Sequence, residues 1–99
     1  MKKTLIDLLK ENGFSVVPYK AEAKGVMLRR SWEKEVEVAW HGKRTSRYMV
    51  EVYVVEATGR CRVTYYSGVS PVKDRWYETL GKRTFNAIAE TVRCAGYEM

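Results

Sequence analysis

Apolar residues near the start of the chain recur at helical spacing. The apolar positions are Leu5, Ile6, Leu8 and Leu9. Thr4 precedes them as a helix cap, Asp7 stands three residues later as in a capping box, and Gly13 follows as a stop. The pattern predicts a helix over residues 5–12.

Extended segments follow this helix. Phe14–Tyr19 and Gly25–Trp32 have strand composition, and Pro18 places the first of them at a sheet edge because proline cannot donate to a ladder. Glu35–Trp40 then alternates polar and apolar residues, and Arg47–Ala57 is rich in β-branched residues. These two segments predict a hairpin.

The loop 42–46 joins the strands of this first predicted hairpin. It brings Trp40 opposite Tyr48, Val38 opposite Val50 and Val36 opposite Val52. One side of the sheet then carries the valines and faces the core.

A second hairpin is predicted around Thr58-Gly59. It pairs Val54 with Val63 and Val52 with Tyr65, which extends the same core side. The opposite side displays Glu35, Glu37, Glu51, Tyr53, Arg60, Arg62, Thr64 and Tyr66. This composition is typical of an antiparallel sheet that is covered on one face only.

The remaining residues predict helices. Ser70-Pro71 is typical of a helix start, and Val72, Trp76 and Leu80 continue it as a short helix. A final helix begins near Lys82, with Phe85, Ile88, Ala89, Val92 and Ala95 on one side and Gly96 at its end. The expected fold is therefore α+β, a single domain over 1–99, with an antiparallel sheet of about five strands and the N-terminal and C-terminal helices packed on one face.

The net charge of the chain favours an acidic partner. The chain has 18 Lys and Arg against 12 Asp and Glu, a net charge of +6. Nucleic acid, an acidic protein surface or an anionic membrane would each satisfy this balance. No apolar run is long enough to cross a bilayer, and the N-terminal residues do not have the pattern of a signal peptide. The two isolated cysteines indicate a reducing compartment. We therefore expect a cytoplasmic protein without a membrane partner.

Two basic clusters are candidate phosphate contacts. Lys43, Arg44 and Arg47 lie at the predicted tip of the first hairpin. The second cluster comprises Lys73, Arg75, Lys82 and Arg83, the last two at the start of the final helix, where free amides favour anions. The alternative for both is a charged surface that only keeps the domain soluble.

The uncovered sheet face is a third candidate. Arg60, Arg62, Tyr53 and Tyr66 resemble in composition the stacking and cationic platforms of single-strand binders. Glutamates on the same face favour instead a solvent face with cross-strand ion pairs. The face is also where a homodimer would form, with Tyr53 or Tyr66 at the interface.

Catalytic chemistry has few candidates. His41, with Glu37, Glu51 and Arg62, would make a set capable of acid-base cleavage of RNA. Cys61 and Cys94 lack a nearby base and are interpreted as buried small hydrophobes, and Trp32, Trp40 and Trp76 as core residues, with Trp76 partly exposed. No metal or cofactor site is indicated.

Two resemblances to known families rest on short segments of the chain. His41-Gly42-Lys43-Arg44 before a strand and Gly81-Lys82-Arg83 opening the last helix resemble a double-stranded RNA-binding domain, which has three strands and more lysines on that helix. Leu8–Phe14 and Ala95-Gly96-Tyr97 are similar to small toxin ribonucleases of the HicA type, whose active histidine is replaced here by 21–25. Neither resemblance covers the middle of the chain as a whole, so no family is assigned.

The sequence therefore supports three hypotheses. The first is a non-enzymatic nucleic-acid-binding domain that contacts phosphates through the hairpin loop and the start of the C-terminal helix. The second is a protein-interaction module, such as a phage or mobile-element regulator or inhibitor. The third is a small ribonuclease centred on His41. DNA and RNA, and single and double strands, are not distinguished.

Overall fold

A computed structural model describes residues 3–18, 25–40 and 42–99. The elements are α1 (Leu5–Glu11), β1 (Ser15–Val17), β2 (Val26–Val38), β3 (Gly42–Val55), β4 (Arg60–Ser67), β5 (Ser70–Tyr77) and α2 (Lys82–Cys94). The five strands form one antiparallel sheet in the order β1-β2-β3-β4-β5. The α+β fold expected from the sequence is confirmed.

Helix α1 begins at the predicted capping box. The Thr4 backbone N–H donates to Asp7 Oδ2 over 3.1 Å, and the Asp7 N–H donates to Thr4 Oγ1 over 3.2 Å. The backbone hydrogen bond from Thr4 lowers the pKa of Asp7, because it favours the carboxylate. Leu5 and Leu9 are fully buried, so the apolar side of α1 packs into the core.

The first hairpin is real, but its predicted register is wrong. Trp32, not Trp40, lies opposite Tyr48, and Leu28 lies opposite Val52. Strand β2 runs unbroken through the charged stretch around Glu33, and the predicted loop 42–46 is the first part of β3. Strand β2 ends at Val38 and β3 begins at Gly42, whose φ of 75° favours glycine.

The second hairpin keeps the predicted face with a shifted register. Val52 pairs with Val63, and Val54 pairs with Cys61. The shift from the expected partners is two residues, and because side chains alternate with a period of two, the same residues still face the core.

Residues 72–80 do not form the predicted short helix. Ser70–Tyr77 is the edge strand β5, paired with β4 and irregular between Tyr65 and Tyr66. An edge strand tolerates Pro71 because the missing N–H need not join a ladder. The edge position of β1, which precedes Pro18, is as predicted.

The core lies between the sheet and the two helices. Its fully buried residues are Leu5, Leu9, Leu28, Val50, Val52, Val63, Cys61, Tyr65, Ile88 and Val92. We call this side of the sheet the helix side and the other the open side. Val36 and Val38 share the helix side but are only half-buried, because they lie beyond the helices.

Helix α2 begins at Lys82 as predicted and leads into an anchored C-terminal segment. Gly96 has a φ of 94°, which ends the helix. The next residue, Tyr97, stacks on Tyr48 with ring centroids 5.1 Å apart. The indole N–H of Trp32 donates to the Glu98 carbonyl over 2.8 Å. No helix in the described part of the chain has the length and apolarity to span a membrane.

Candidate functional site

The predicted site residues separate into two sets on opposite sides of the sheet. Five lie on the open side, namely Lys43, Arg47, Arg60, Arg62 and Tyr66. Three lie on the helix side, namely Arg44, Lys73 and Arg75, and Lys82 and Arg83 open α2. The structure therefore does not gather the ten residues into one surface.

Cations on the open side are paired with carboxylates. Arg47 contacts Glu33 over 3.2 Å, and Arg60 contacts Glu78 over 3.0 Å. The remaining pairs on this side are Lys43 with Glu35, Arg29 with Glu51, and Arg62 with Asp74. The open side therefore carries a set of cross-strand ion pairs, as its composition indicated.

Two pKa shifts reflect the pairing on the open side. Hydrogen bonds from Arg62 lower the pKa of Asp74, since they favour its carboxylate. A hydrogen bond to Glu51 raises the pKa of Tyr66, because the phenol that donates it must stay protonated. Arg62 and Tyr66 are therefore already engaged within the sheet.

The open side also carries a shallow cavity of about 500 Å³. Its lining comprises Met27, Glu51, Tyr53, Arg62, Thr64, Tyr66, Pro71 and Asp74. Gly25 lies under the Tyr53 ring, where a Cβ atom would approach Tyr53 Cζ to 2.4 Å. The close approach explains why residue 25 has no side chain.

A two-stranded ribbon projects from one end of the sheet. We call it the arm, residues 33–40 and 42–47. The arm strands pair only with each other, since β4 begins to pair with β3 at Tyr48 and β1 pairs with β2 only at residues 27–29. The six paired positions and the turn extend about 20 Å. This projection contributes to a molecule 51 Å long and 19 Å thick.

Trp40 lies in the turn at the tip of the arm and is 90% exposed. The expectation of a core residue is wrong for Trp40 and correct for Trp32, which is 9% exposed. An exposed indole is unusual, because burial of a tryptophan contributes strongly to stability. The sequence signal that could have located Trp40 at the tip is Gly42. A glycine with positive φ at this position begins β3 here, five residues before the predicted strand.

The two sides of the arm differ in charge. Every arm carboxylate lies on the open side, at Glu33, Glu35 and Glu37. The helix side carries Lys34 and Arg44. Lys34 donates to the Gly96 carbonyl over 3.0 Å, whereas Arg44 forms no ion pair with a described residue. The arm therefore presents Arg44 on its helix side, without a carboxylate beside it, and an exposed tryptophan at its tip.

Lys82 and Arg83 lie at the opposite end of the sheet from the arm. The N-cap of α2 is Gly81, which makes no side-chain capping bond, and the first turn contains no acidic residue. Leu80, just before this turn, accepts a hydrogen bond from the Leu5 N–H over 3.1 Å. Lys82 and Arg83 are exposed.

Lys73 and Arg75 lie between these two ends, on the helix side of β5. The Lys73 ammonium is 6.0 Å from the Tyr65 ring centroid, and the Arg75 guanidinium is 5.2 Å from that of Tyr77. Neither cation forms an ion pair with a described residue.

The catalytic set proposed around His41 is not assembled by the described residues. His41 itself lies outside them. Glu37 pairs with Lys43 and Glu51 pairs with Arg29, so the two glutamates are separated by eight positions along the hairpin. That separation is about 26 Å. Among residues 3–18, 25–40 and 42–99, no cluster of histidine, cysteine and carboxylate groups has a metal-binding arrangement.

The cysteines have different environments. Cys61 is buried as expected, and its burial raises the pKa of the thiol to about 11. Cys94 is exposed on α2, so the expectation of burial is wrong for this residue. Cys94 lies with Thr91 on the side of α2 that faces β5, outside the buried core.

Comparison with known proteins gives no relative from which a site could be transferred. No family model, curated protein or solved structure matches the chain. The functional argument therefore depends on the geometry and charge described above.

Proposed function

We propose that the protein binds nucleic acid through the arm, and that Trp40 contacts bases while the arm cations contact phosphates. The observation that carries the proposal is the 90% exposure of Trp40 at the tip of a projecting ribbon, whose helix side carries Arg44 without an ion-pair partner among the described residues. A planar indole stacks on any base, and arginine neutralises phosphate without reading sequence.

The shape of the arm supports this function. Two antiparallel strands are narrow enough to enter the major groove of B-DNA, which is about 12 Å wide. An aromatic side chain at the tip can also insert between unstacked bases of a single strand or of a kinked duplex. The helix side of the arm would face the nucleic acid, because the glutamates on the open side repel phosphate.

Lys43 and Arg47 would contribute as secondary contacts. Their pairs with Glu35 and Glu33 are exposed, and exposed ion pairs contribute only about 0–1 kcal/mol. Phosphate can therefore compete for these cations. Lys82 and Arg83, at the far end of the molecule, would engage only a strand long enough to run along the sheet.

The test is the anisotropy of fluorescently labelled 20-nucleotide DNA and RNA, single- and double-stranded, titrated with the protein at low salt. We expect binding in the micromolar range or tighter. The W40A variant should lose about 1–3 kcal/mol, the contribution of one base–aromatic stack. The matched control is W76A, which removes the other exposed tryptophan, 47% exposed, on the open side, and should bind like the wild type.

Two results would contradict the proposal. One is the absence of binding to every labelled strand at low salt, where electrostatic attraction is strongest. The other is binding that W40A and W76A weaken equally.

The free cysteines and the lack of a disulfide among the described residues are consistent with a cytoplasmic protein, which fits a nucleic-acid partner.

A further inference from the structure

Strand β5 has an unpaired edge beside a basic groove. It is the last strand of the sheet, and its backbone groups on the outer side have no strand partner within residues 3–18, 25–40 and 42–99. Between β5 and α2 lies a groove of about 300 Å³. Its walls comprise Lys73, Arg75 and Tyr77 from the strand and Ala87, Glu90, Thr91 and Cys94 from the helix.

A buried tyrosine lies next to the groove, with its ring centroid 6.0 Å from the Lys73 ammonium. Tyr65 has no exposed surface, and its hydroxyl makes no hydrogen bond to a described residue. Burial raises the pKa of Tyr65, and Tyr77 and Thr91, both in the groove walls, are close enough to affect it. Because this hydroxyl is buried, the groups that a ligand could reach are those of the groove walls.

The cations of the groove are spaced like the side chains of a strand. Lys73 and Arg75 are alternate residues on the same side of β5, so they are separated by about 7 Å. A strand added to β5 would place its own alternate side chains at the same interval. On the other side of β5, Trp76 is 47% exposed and would face an apolar residue of the added strand.

We propose that the β5 edge binds an extended acidic segment of a partner protein, which adds to the sheet as a sixth strand. Acidic side chains of that segment contact Lys73 and Arg75, and the alternate apolar side chains cover Trp76. Backbone hydrogen bonds to β5 supply affinity, and the groove supplies the acidic preference.

Other occupants fit this edge less well. Nucleic acid has no main chain of alternating N–H and C=O groups, so it cannot extend the sheet along β5 as a further strand. A second copy of the chain, paired through β5, would place Lys73 and Arg75 close to their counterparts. Pro71 and these cations discourage self-association of the edge, which leaves an acidic segment from another protein as the matching partner.

The experiment selects phage-displayed random 12-residue peptides on the immobilised full chain. We expect enriched sequences with acidic residues at every second position. A synthetic peptide with the leading sequence should bind K73E/R75E at least 10-fold more weakly than the wild type. The matched control is K82E/R83E, which makes the same charge change outside the groove and should retain the affinity.

Hydrogen exchange of the peptide complex locates the contact. We expect slower amide exchange in residues 72–77 and unchanged exchange in the arm. Selection without acidic enrichment, protection outside β5, or equal loss in both charge-reversal variants would overturn the inference. Displacement of the peptide by a 20-nucleotide strand that itself protects β5 would overturn it too. W40A changes the arm and leaves the groove intact. Peptide binding therefore tests this inference, and nucleic-acid binding by W40A tests the function of the arm, independently of each other.

Discussion

Tyr97 stacks on Tyr48 at the base of the arm, and its hydroxyl lies 2.8 Å from Ser46 Oγ. The two rings are inclined by only 17°. The contact joins the residue that follows α2 to the strand that leads into the arm, so the C-terminal segment fixes where the arm leaves the sheet.

Replacement of Tyr97 tests this contact. Y97A should lower the free energy of unfolding by about 2–4 kcal/mol, because it removes a ring that is 8% exposed. Y97F, the matched control, keeps the stack and removes only the hydroxyl, so we expect a loss of about 1 kcal/mol. Urea denaturation followed by circular dichroism measures both. Equal losses would mean that the hydrogen bond, not the stack, carries the stability.

Salt dependence tests the arm cations. If R44A removes one phosphate contact, the slope of log affinity against log salt should fall by roughly 0.7–0.9. The triple change of Lys43, Arg44 and Arg47 to alanine should lower it further without loss of fold. E33Q/E35Q should instead strengthen binding, because it releases Arg47 and Lys43 from their glutamates. An unchanged slope in R44A would show that Arg44 does not contact phosphate.

A charge placed on the helix side should destabilise the protein far more in the core than on the arm. Val52 has no exposed surface, so V52D should unfold the protein through an unpaired buried charge. Val38 is half-buried on the arm, and V38D should cost about 1 kcal/mol or less. Thermal melting compares the two variants. A folded V52D variant would contradict the description of the core.

The two cysteines should differ in reactivity. At pH 8 in native buffer an aromatic disulfide reagent should modify Cys94 rapidly and Cys61 at least about 100-fold more slowly, since only the thiolate reacts. The pKa of Cys61 is raised from 9.0 to about 11, so its contribution to stability is present below pH 9 and is lost as the pH rises towards 11. The decrease in unfolding free energy over that interval should be smaller in C61A. Both thiols should react alike in denaturant.

The sequence predicted the core side of the sheet because alternation survives a register error of two residues. Val52 faces the core whether it pairs with Tyr65 or with Val63. The first register failed for a physical reason. The charges around Glu33 resemble a break between strands, but residues 33–35 are all exposed in the ribbon, so they are acceptable strand residues. The pattern of apolar and polar residues therefore did not predict the arm or the exposure of Trp40.

Strand β5 was missed because it carries no alternation. All but the last of its residues are exposed, so no apolar periodicity marks it as a strand. Pro71 and the spacing of Val72 and Trp76 then favour a helix on local grounds. The ion pairs of the open side were predictable from composition, whereas the groove depends on how β5 meets α2, which no local pattern encodes.

The strand order has a kinetic consequence. Each strand pairs with the one before it, so most of the sheet can form by successive short loop closures, which favours rapid folding. The C-terminal segment is different, since the bond from Trp32 to Glu98 closes 66 residues. Such a closure is expected late, after the folding barrier. Loss of the last three residues should therefore accelerate unfolding while it leaves the folding rate nearly unchanged.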